Sequence, residues 1–550
     1  MTRILVLIGL TVAVVVCATP AAAAGRISVG LAPGSSADDV RPELEVATGG
    51  DVTADLGPLG ALVLDVPDVD VAVAAATRVA GVEYAEPITT STRTLAFTPN
   101  DPFAVDQWYL PAIRAFDHWA HKPPLAPILV AVIDSGIDGS HPEFADRIAA
   151  SRSFVSSAAT VDSYGHGTMV AGEIAAMLDN AEGIAGVGIP VQLLVAKVIA
   201  SDGGISLLAE ARAIRWAVDR GARVINLSIG GPRDPNNPWR DTYSELEHSA
   251  IDYATRNGVV VVAAGGNCFD ICPDPYVGYP AALPHVLGVS AIARNGSTPL
   301  FSNRDPIYND LAAPGTKILS TYPLARSLPA DTCPRSGYTQ CARTTHHRSP
   351  SGTSFSAPLA AAAAAVLVAE TGRLSLSALH PSQVTHLLER AAVDIRDVGR
   401  DRFTGWGRLD VQRALERLSR PLPSADRFET NDDAGGRARP LWGSNRTDRA
   451  TLDRFDDRRD VYRITIREDQ RVVFRVTAPD GTNVNLVLWR PGTKHVTERA
   501  RRITDRIAFS SNPGSSERIA YRARRDGWFF LEVRLDGGRS APYELVIAKS

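Results

Sequence analysis

The chain has 550 residues, a formal net charge of −3 and a hydrophobic fraction of 45%. That length exceeds one ordinary core and predicts roughly two or three domains. The near-neutral balance gives no overall signature of a nucleic-acid-binding protein. At the N-terminus, MTRILVLIGLTVAVVVCATPAAAAG carries Arg3, an apolar run and then small residues, the pattern of a secretory signal peptide over residues 1–24. Lipid attachment at Cys17 is the competing reading, and Val16 stands where such a signal wants a small residue. The protein is expected outside the cytoplasm. No later stretch reads as a membrane span, because LAAAAAAVLVA is short, Ala-rich and followed by Glu370.

Residues 25–96 form a small unit with alternation in ALVLDV, a helix-like VDVAVAAATRVA and then GVEYAEP. Beyond it, ILVAVIDSGID is a continuous apolar run of the buried parallel-strand type that ends in Asp134, Ser135 and Gly136. Strand carboxyl ends are where α/β folds place their sites. SYGHGTMVAG puts His166 between two glycines at the start of an apparent helix. VVVVAAGGN is a second buried strand, running into glycines and Asn267. PSGTSFSAP precedes the apolar run LAAAAAAVLVAE and places Ser354 at a helix start, where it is either an N-cap or a nucleophile beside unpaired N–H groups. An Asp and a His, each flanked by glycine, favour the nucleophile: a serine hydroxyl attacks poorly at neutral pH unless a base takes its proton.

Four cysteines follow Cys17, spaced as Cys268 with Cys272 and Cys333 with Cys341. An even count in a secreted chain suggests disulfides, with local pairing preferred among three connectivities. A zinc site using His346 and His347 is the alternative.

The motifs DSG, GHGT and GTSFSAP, in the order Asp, His, Ser, resemble those of the subtilisin-like serine proteases, over about residues 97–420. The resemblance implies an α/β fold, a subtilisin-like parallel sheet flanked by helices. It implies a serine endopeptidase acting on polypeptides through an acyl-enzyme. In that scheme Asp134 orients His166, His166 takes the proton of Ser354, and Asn267 is the side-chain oxyanion donor. The loop departs from the pattern, with an extra glycine before Asn267 and Cys268 after it. INLSIG resembles the segment that pairs an extended substrate, through Ser228, Ile229 and Gly230. VGYP resembles the floor of the primary pocket, where Gly278 leaves room for a large apolar side chain.

The same resemblance implies structural calcium, held by side chains of Asp101, Glu143 and Asn180 and carbonyls of Met177, Glu182 and Ile184. Glu143 departs from the commoner Asp. Residues 25–96 resemble an inhibitory propeptide, an α+β unit that would occupy the cleft until cut near Leu95 and Ala96. Residues 421–435 read as a polar linker, and 436–550, with YRITI, VVFRV and FFLEVRL, as an all-β sandwich resembling a pre-peptidase C-terminal domain. Its arginines are either a solvated face or a contact for an anionic surface or polymer. A monomer is expected. Two other functions share these features: a peptide ligase or cyclase on the same scaffold, and a secreted binding protein with a relict protease domain. Met169, where many relatives have His, is assigned to packing.

Overall fold

The computed structural model describes the chain except for residues 1–24, 33–34, 58–59, 89–96, 201, 235–236, 238, 269–275, 327–339, 342–346, 425, 427, 456, 497–504 and 539. The signal peptide, the expected cut at Leu95 and Ala96, Cys272, Cys333 and His346 therefore lie outside the described residues. The chain divides into two compact units at residues 93 and 94.

The first unit runs β1 (Gly25–Leu31), α1 (Ala37–Thr48), β2 (Asp51–Asp55), β3 (Ala61–Val66), α2 (Val69–Ala76), β4 (Val82–Pro87). Its strands form an antiparallel sheet in the order β2-β3-β1-β4. Ile27, Val29, Leu62 and Leu64 of the sheet bury against Val40 and Leu44 of α1 and Ala72 and Ala76 of α2. Alternation in the strands and helical spacing in α1 put these residues on facing surfaces, which makes the unit α+β.

The second unit opens with α3 (Tyr109–Ala112), followed by β5 (Ile128–Asp134), β6 (Ile148–Ser153), α4 (His166–Ala175), β7 (Val191–Lys197), α5 (Leu207–Asp219), β8 (Val224–Leu227), α6 (Glu245–Arg256), β9 (Val260–Ala264), β10 (Val286–Ile292) and β11 (Leu311–Pro314). Those seven strands make one sheet, ordered β11-β10-β9-β8-β5-β7-β6, in which every pairing is parallel. Helices cover both faces, so β5, β8, β9 and β10 read as near-continuous apolar runs, interrupted by Asn226 in β8 and Ser290 in β10. One face carries α5 and α6, through Ala213, Ile214, Trp216 and Ile251. The other carries α4 and the later α7 (Ala357–Arg373), whose alanines from Ala360 to Ala364 are fully buried. Small side chains let that helix lie close against the sheet. Thr353–Arg373 is apolar and long enough to cross a membrane, but 89% of its most apolar stretch is buried inside this fold.

Short strands β12 (Ser320–Thr321), β13 (Gln340–Cys341) and β14 (His347–Ser349), then α8 (Pro381–Ala391) and α9 (Val411–Glu416), complete this part. Two further sheets follow. One is ordered β15-β17-β22-β19-β20, from β15 (Arg439–Leu441), β17 (Arg459–Ile466), β19 (Thr482–Trp489), β20 (Arg506–Ser510) and β22 (Gly527–Gly538). Its partner is ordered β16-β23-β18-β21, from β16 (Asn445–Leu452), β18 (Arg471–Thr477), β21 (Ser516–Arg522) and β23 (Ala541–Lys549). Phe529, Leu531, Val533 and Leu535 share the inner face of β22 and pack against Phe474, Val476 and Leu545 of the other sheet.

The expected linker is not a solvated spacer. Asp426, Thr430, Asn431, Asp432, Asp433 and Ala434 are all buried. His285 Nε2 lies 2.6 Å from Asp432 Oδ2, and Arg256 donates to Thr430 Oγ1 at 2.7 Å. Arg437 reaches Glu245 at 2.7 Å and Asp252 at 3.1 Å. A polar composition read as exposure because the partners that make Asp432 and Asp433 buriable, His285 before β10 and His495 with the Val496 N–H, lie far away in sequence.

Candidate active site

Asp134 ends β5 at the carboxyl edge of the sheet and is completely buried. His166 begins α4, and its Nδ1 lies 2.8 Å and 3.0 Å from the two Asp134 carboxylate oxygens. Gly167 explains the glycine after the histidine. A Cβ there would lie 2.1 Å from the Gly136 carbonyl oxygen, so only a bare α-carbon lets the first turn of α4 approach the DSG turn. Gly136 itself sits at φ +87°.

Sequence reasoning missed Asp162, which joins these two segments. Its Oδ1 accepts from Ser135 Oγ at 2.9 Å and from the Gly165 N–H at 2.7 Å. Its Oδ2 accepts the Thr168 N–H at 2.9 Å and the Thr168 hydroxyl at 2.7 Å. An acid four residues before the histidine in VDSYGHGT was the available signal.

Burial pushes the His166 pKa down, and the charge and hydrogen bond of Asp134 together with the charge of Asp162 more than offset it. The net shift is upward from 6.5. The imidazole keeps 19% of its side-chain surface exposed, so one edge remains reachable.

Ser354 lies in a short 3₁₀ turn, Thr353–Phe355, just before α7. Neither Ser354 nor Ser356 caps the helix with its side chain, so the N-cap reading fails. Ser354 Oγ donates to the Ser228 carbonyl at 3.1 Å, and Ser228 Oγ donates back to the Ser354 carbonyl at 2.8 Å. Ser356 Oγ instead donates to the carbonyls of Ala313 and Pro314. The neighbouring Phe355 ring stands 5.4 Å from the His166 ring, which brings the serine turn beside the imidazole. No hydrogen bond joins Ser354 to His166 in this state. Catalytic hydrogen bonds often tighten only when substrate is bound.

Asn267 faces the same turn. Its Oδ1 accepts from the Thr353 N–H at 2.9 Å and from the Thr353 hydroxyl at 3.1 Å. That fixes the amide plane and leaves Nδ2 without a hydrogen bond among the described residues. The Ser354 N–H likewise makes no backbone hydrogen bond among them. The extra glycine has a physical reason: Gly266 takes φ +103°, and a Cβ there would lie 2.5 Å from Asn303 Nδ2. Cys268 is disulfide-bonded. Cys341 lies in β13, which pairs with β14.

The expected substrate segment continues from a strand that is not itself an edge. β8 is interior, between β5 and β9. Only the residues after Leu227 leave the ladder: Ser228 and Ile229 are buried, Gly230 is exposed, and the Gly230 backbone makes no backbone hydrogen bond among the described residues. Gly231 pairs with Tyr279 through two 2.9 Å hydrogen bonds. A Cβ on Gly278 would lie 2.5 Å from the Gly231 carbonyl oxygen, so the close approach of these two segments also requires glycine there.

The residues expected around calcium converge on one loop. Asp101 is buried and accepts the N–H groups of Asp179 at 2.9 Å and Asn180 at 3.2 Å. Glu143 Oε1 accepts the Ile184 N–H at 2.8 Å, its own carbonyl accepts the Met177 N–H at 3.1 Å, and Asn180 Oδ1 accepts the Glu182 N–H at 2.9 Å. The oxygen chemistry suits a hard cation. In this geometry, however, loop N–H groups already meet those oxygens. Met169 packs partly buried against the core, as expected.

Residues 126–407 match the family described as the Subtilase family. The chain is 31% identical over 324 residues to thermitase of Thermoactinomyces vulgaris, covering 58% of this chain and 100% of that one. It is 32% identical over 308 residues to subtilisin DY of Bacillus licheniformis, covering 56% and 97%. Against fervidolysin of Fervidobacterium pennivorans it is 34% identical over 336 residues, covering 58% and 44%. The solved structure of the prenylagaramide maturation protease PagA aligns with a TM-score of 0.43 at 27% identity, covering 53% of this chain and 93% of that one.

Proposed function

This chain belongs to the subtilase family and is a serine endopeptidase, and from that premise we propose that it is secreted, made as a self-processed zymogen, and acts through Asp134, His166 and Ser354. The observation that carries the triad is the pair of short contacts from His166 Nδ1 to Asp134, with the Ser354 turn held beside the imidazole through Phe355. Ser354 Oγ turns from the Ser228 carbonyl toward His166 Nε2 and gives up its proton as it attacks the scissile carbonyl carbon. The oxyanion is met by Asn267 Nδ2 and the Ser354 N–H, neither of which makes a hydrogen bond among the described residues. His166 then protonates the leaving amine, and water, deprotonated by the same imidazole, releases the acyl group.

The substrate lies extended along Ser228–Gly230, whose exposed end supports strand addition. Its side chain before the scissile bond is large and apolar. A peptide-library profile dominated by Arg or Lys at that position overturns this preference. Residues 1–24 are the signal peptide, 25–96 the inhibitory propeptide, 97–420 the catalytic domain and 436–550 the C-terminal β domain. Cys268 pairs with Cys272, bracing the loop after Asn267, and Cys333 pairs with Cys341. Calcium binds at Asp101, Glu143 and Asn180 with the carbonyls of Met177, Glu182 and Ile184, where its charge would offset two carboxylates, from separate segments, that meet one loop.

The test is to secrete the intact chain and its Ser354→Ala variant side by side and compare intact masses and N-terminal sequences. Loss of the propeptide near residues 95–97 in the parent alone is expected. Identical cutting of both, or of neither, overturns self-processing.

A further inference from the structure

A cavity of about 580 Å³ lies between the parallel-sheet part of the second unit and the sheet ordered β15-β17-β22-β19-β20. Alternate residues of those strands point away from the core of the sandwich. In the strand register Arg459 of β17 stands directly opposite Arg534 of β22, and Arg534 directly opposite Asn485 of β19. All three line the cavity, and Arg400, Arg458 and Arg506 join them, so that five arginines face four acids in its wall. Like charges set opposite one another on neighbouring strands destabilise a sheet unless something answers them.

Few of these cations are answered from within. Arg459 Nε donates to Glu532 Oε1 at 2.8 Å and Arg400 reaches Asp310 at 2.6 Å, whereas Arg534 has only a 3.5 Å contact with Asp536 among the described residues. Asp432, a third acid of the wall, is engaged by His285. The guanidinium groups of Arg458 and Arg506 make no hydrogen bond or ion pair among the described residues. Partial burial and the charges of Arg400, Arg459 and Arg454 hold the Arg458 pKa below its ordinary value, with Asp536 opposing them.

A buried amide gives a separate indication. Asn485 is 3% exposed, its side chain makes no hydrogen bond among the described residues, and it lines the cavity. An unpaired buried amide costs free energy, part of which a ligand oxygen accepting from Nδ2 would recover. Beside this row the wall is apolar: Leu283, Val286, Val487 and Val496 are buried, and Phe509 is 57% exposed with Arg506 over its ring at 4.2 Å. The matching occupant is an anion carried on an apolar body, and the volume suits a small organic group rather than a bare ion. Each bond cut by a serine endopeptidase yields such a group, a new chain end whose carboxylate adjoins the last side chain.

We propose that this cavity binds the C-terminal carboxylate of a polypeptide through Arg458, Arg459, Arg534 and Asn485, with a large apolar last side chain against Leu283, Val286 and Val487. Guanidinium groups match a carboxylate in two-point geometry. The family's activity supplies such ends whatever side chain the pocket at Gly278 prefers. A cut chain held here would stay at high local concentration near the cleft.

Fluorescence anisotropy on the full chain in the Ser354→Ala background, which prevents digestion, compares a labelled peptide ending in Phe as the free acid with the same peptide as its C-terminal amide. The acid is expected to bind about tenfold more tightly, the worth of one charge-assisted contact. Adding Arg458→Ala and Arg534→Ala together should bring the acid down to the level of the amide. Equal binding of acid and amide by the Ser354→Ala chain overturns the site. So does an arginine pair variant that still binds the acid as before, which would place the peptide in the cleft instead. Displacement of the labelled acid by inorganic phosphate or dodecanoate at lower concentration than by the unlabelled peptide also overturns it, because the cavity would then serve a bare anion or a lipid. Should the pair variant lose its near-ultraviolet circular dichroism, Arg458→Gln takes its place with the same expectation.

Discussion

Ser135 Oγ donates to Asp162 Oδ1 at 2.9 Å and accepts the Gly167 N–H at the same distance, so one buried hydroxyl and one buried carboxylate bind the turn carrying Asp134 to the helix carrying His166. Asp162→Asn keeps the volume but removes the charge and one acceptor. By analogy with other residues that orient a reacting group indirectly, a loss of about 10- to 100-fold in kcat/KM is expected. The acid limb of the pH profile should also move to lower pH, because a charge that favours the protonated imidazole is gone. A limb that stays in place would remove Asp162 from the electrostatics of the site.

His166 must be neutral to act as base. With its pKa raised above 6.5 by Asp134 and Asp162 against the effect of burial, kcat/KM should fall as pH drops through a value above that of an ordinary histidine. Stability runs the other way. The protonated imidazole is favoured in the folded chain, so its contribution is complete below about pH 6.5 and is lost as pH rises through the folded-state pKa. Rate profiles with a small peptide substrate check the first statement, and melting temperatures of Asp134→Asn against the parent across the same range check the second.

Asn267 presents an uncommitted Nδ2 because Thr353 holds its oxygen. Asn267→Ala should lower kcat by about 10²- to 10³-fold with little change in KM, a magnitude established for such a donor in a subtilisin. An increase in KM at constant kcat would instead make Asn267 a substrate-binding residue.

If calcium sits at Asp101, Glu143 and Asn180, a chelator should lower the melting temperature of the parent, and Asp101→Asn should remove part of that response. The N–H groups of Asp179, Asn180 and Ile184 already brace the loop. A parent whose melting temperature ignores the chelator shows that these bonds suffice.

Glu210 on α5 and Glu247 on α6 are buried together on the covered face of the sheet. Burial pushes Glu210 up to about 7, and burial with the charge of Glu210 pushes Glu247 up to about 9. Both values exceed the 4.5 of an ordinary glutamate. The stability linked to their protons is therefore whole below about pH 4.5 and is lost as pH rises through 7 and then 9. Glu247→Gln should raise the melting temperature at alkaline pH and change it little in acid. Parallel pH curves for variant and parent would show that the pair does not titrate in this way.

Much of the site was legible because its residues sit at breaks in local pattern. Asp134 ends an apolar run, His166 stands between glycines, and Asn267 follows a buried strand; each break marks a place where the backbone must turn at the edge of a sheet. The reason for the glycine at 167 was not legible, since it depends on the Gly136 carbonyl, thirty-one residues earlier in the chain. Ser354 stands in the turn before α7, but its surroundings were not legible: a hydroxyl next to a helix reads locally as a cap, and only the fold brings the Ser228 carbonyl to it.

By itself, the sequence determined the order of elements, the parallel sheet with its apolar strands, the α+β unit before it, the β sandwich after it, and the residue types that chemistry requires. Those follow from periodicity and local turn chemistry, which act over a few residues. The tertiary structure alone decided which polar groups are buried. Asp162 became a tie between two segments, the supposed linker became an interface, and Glu429 and Asp457 came to face one another. Burial of a charge depends on partners brought from far along the chain, and no local pattern carries that information.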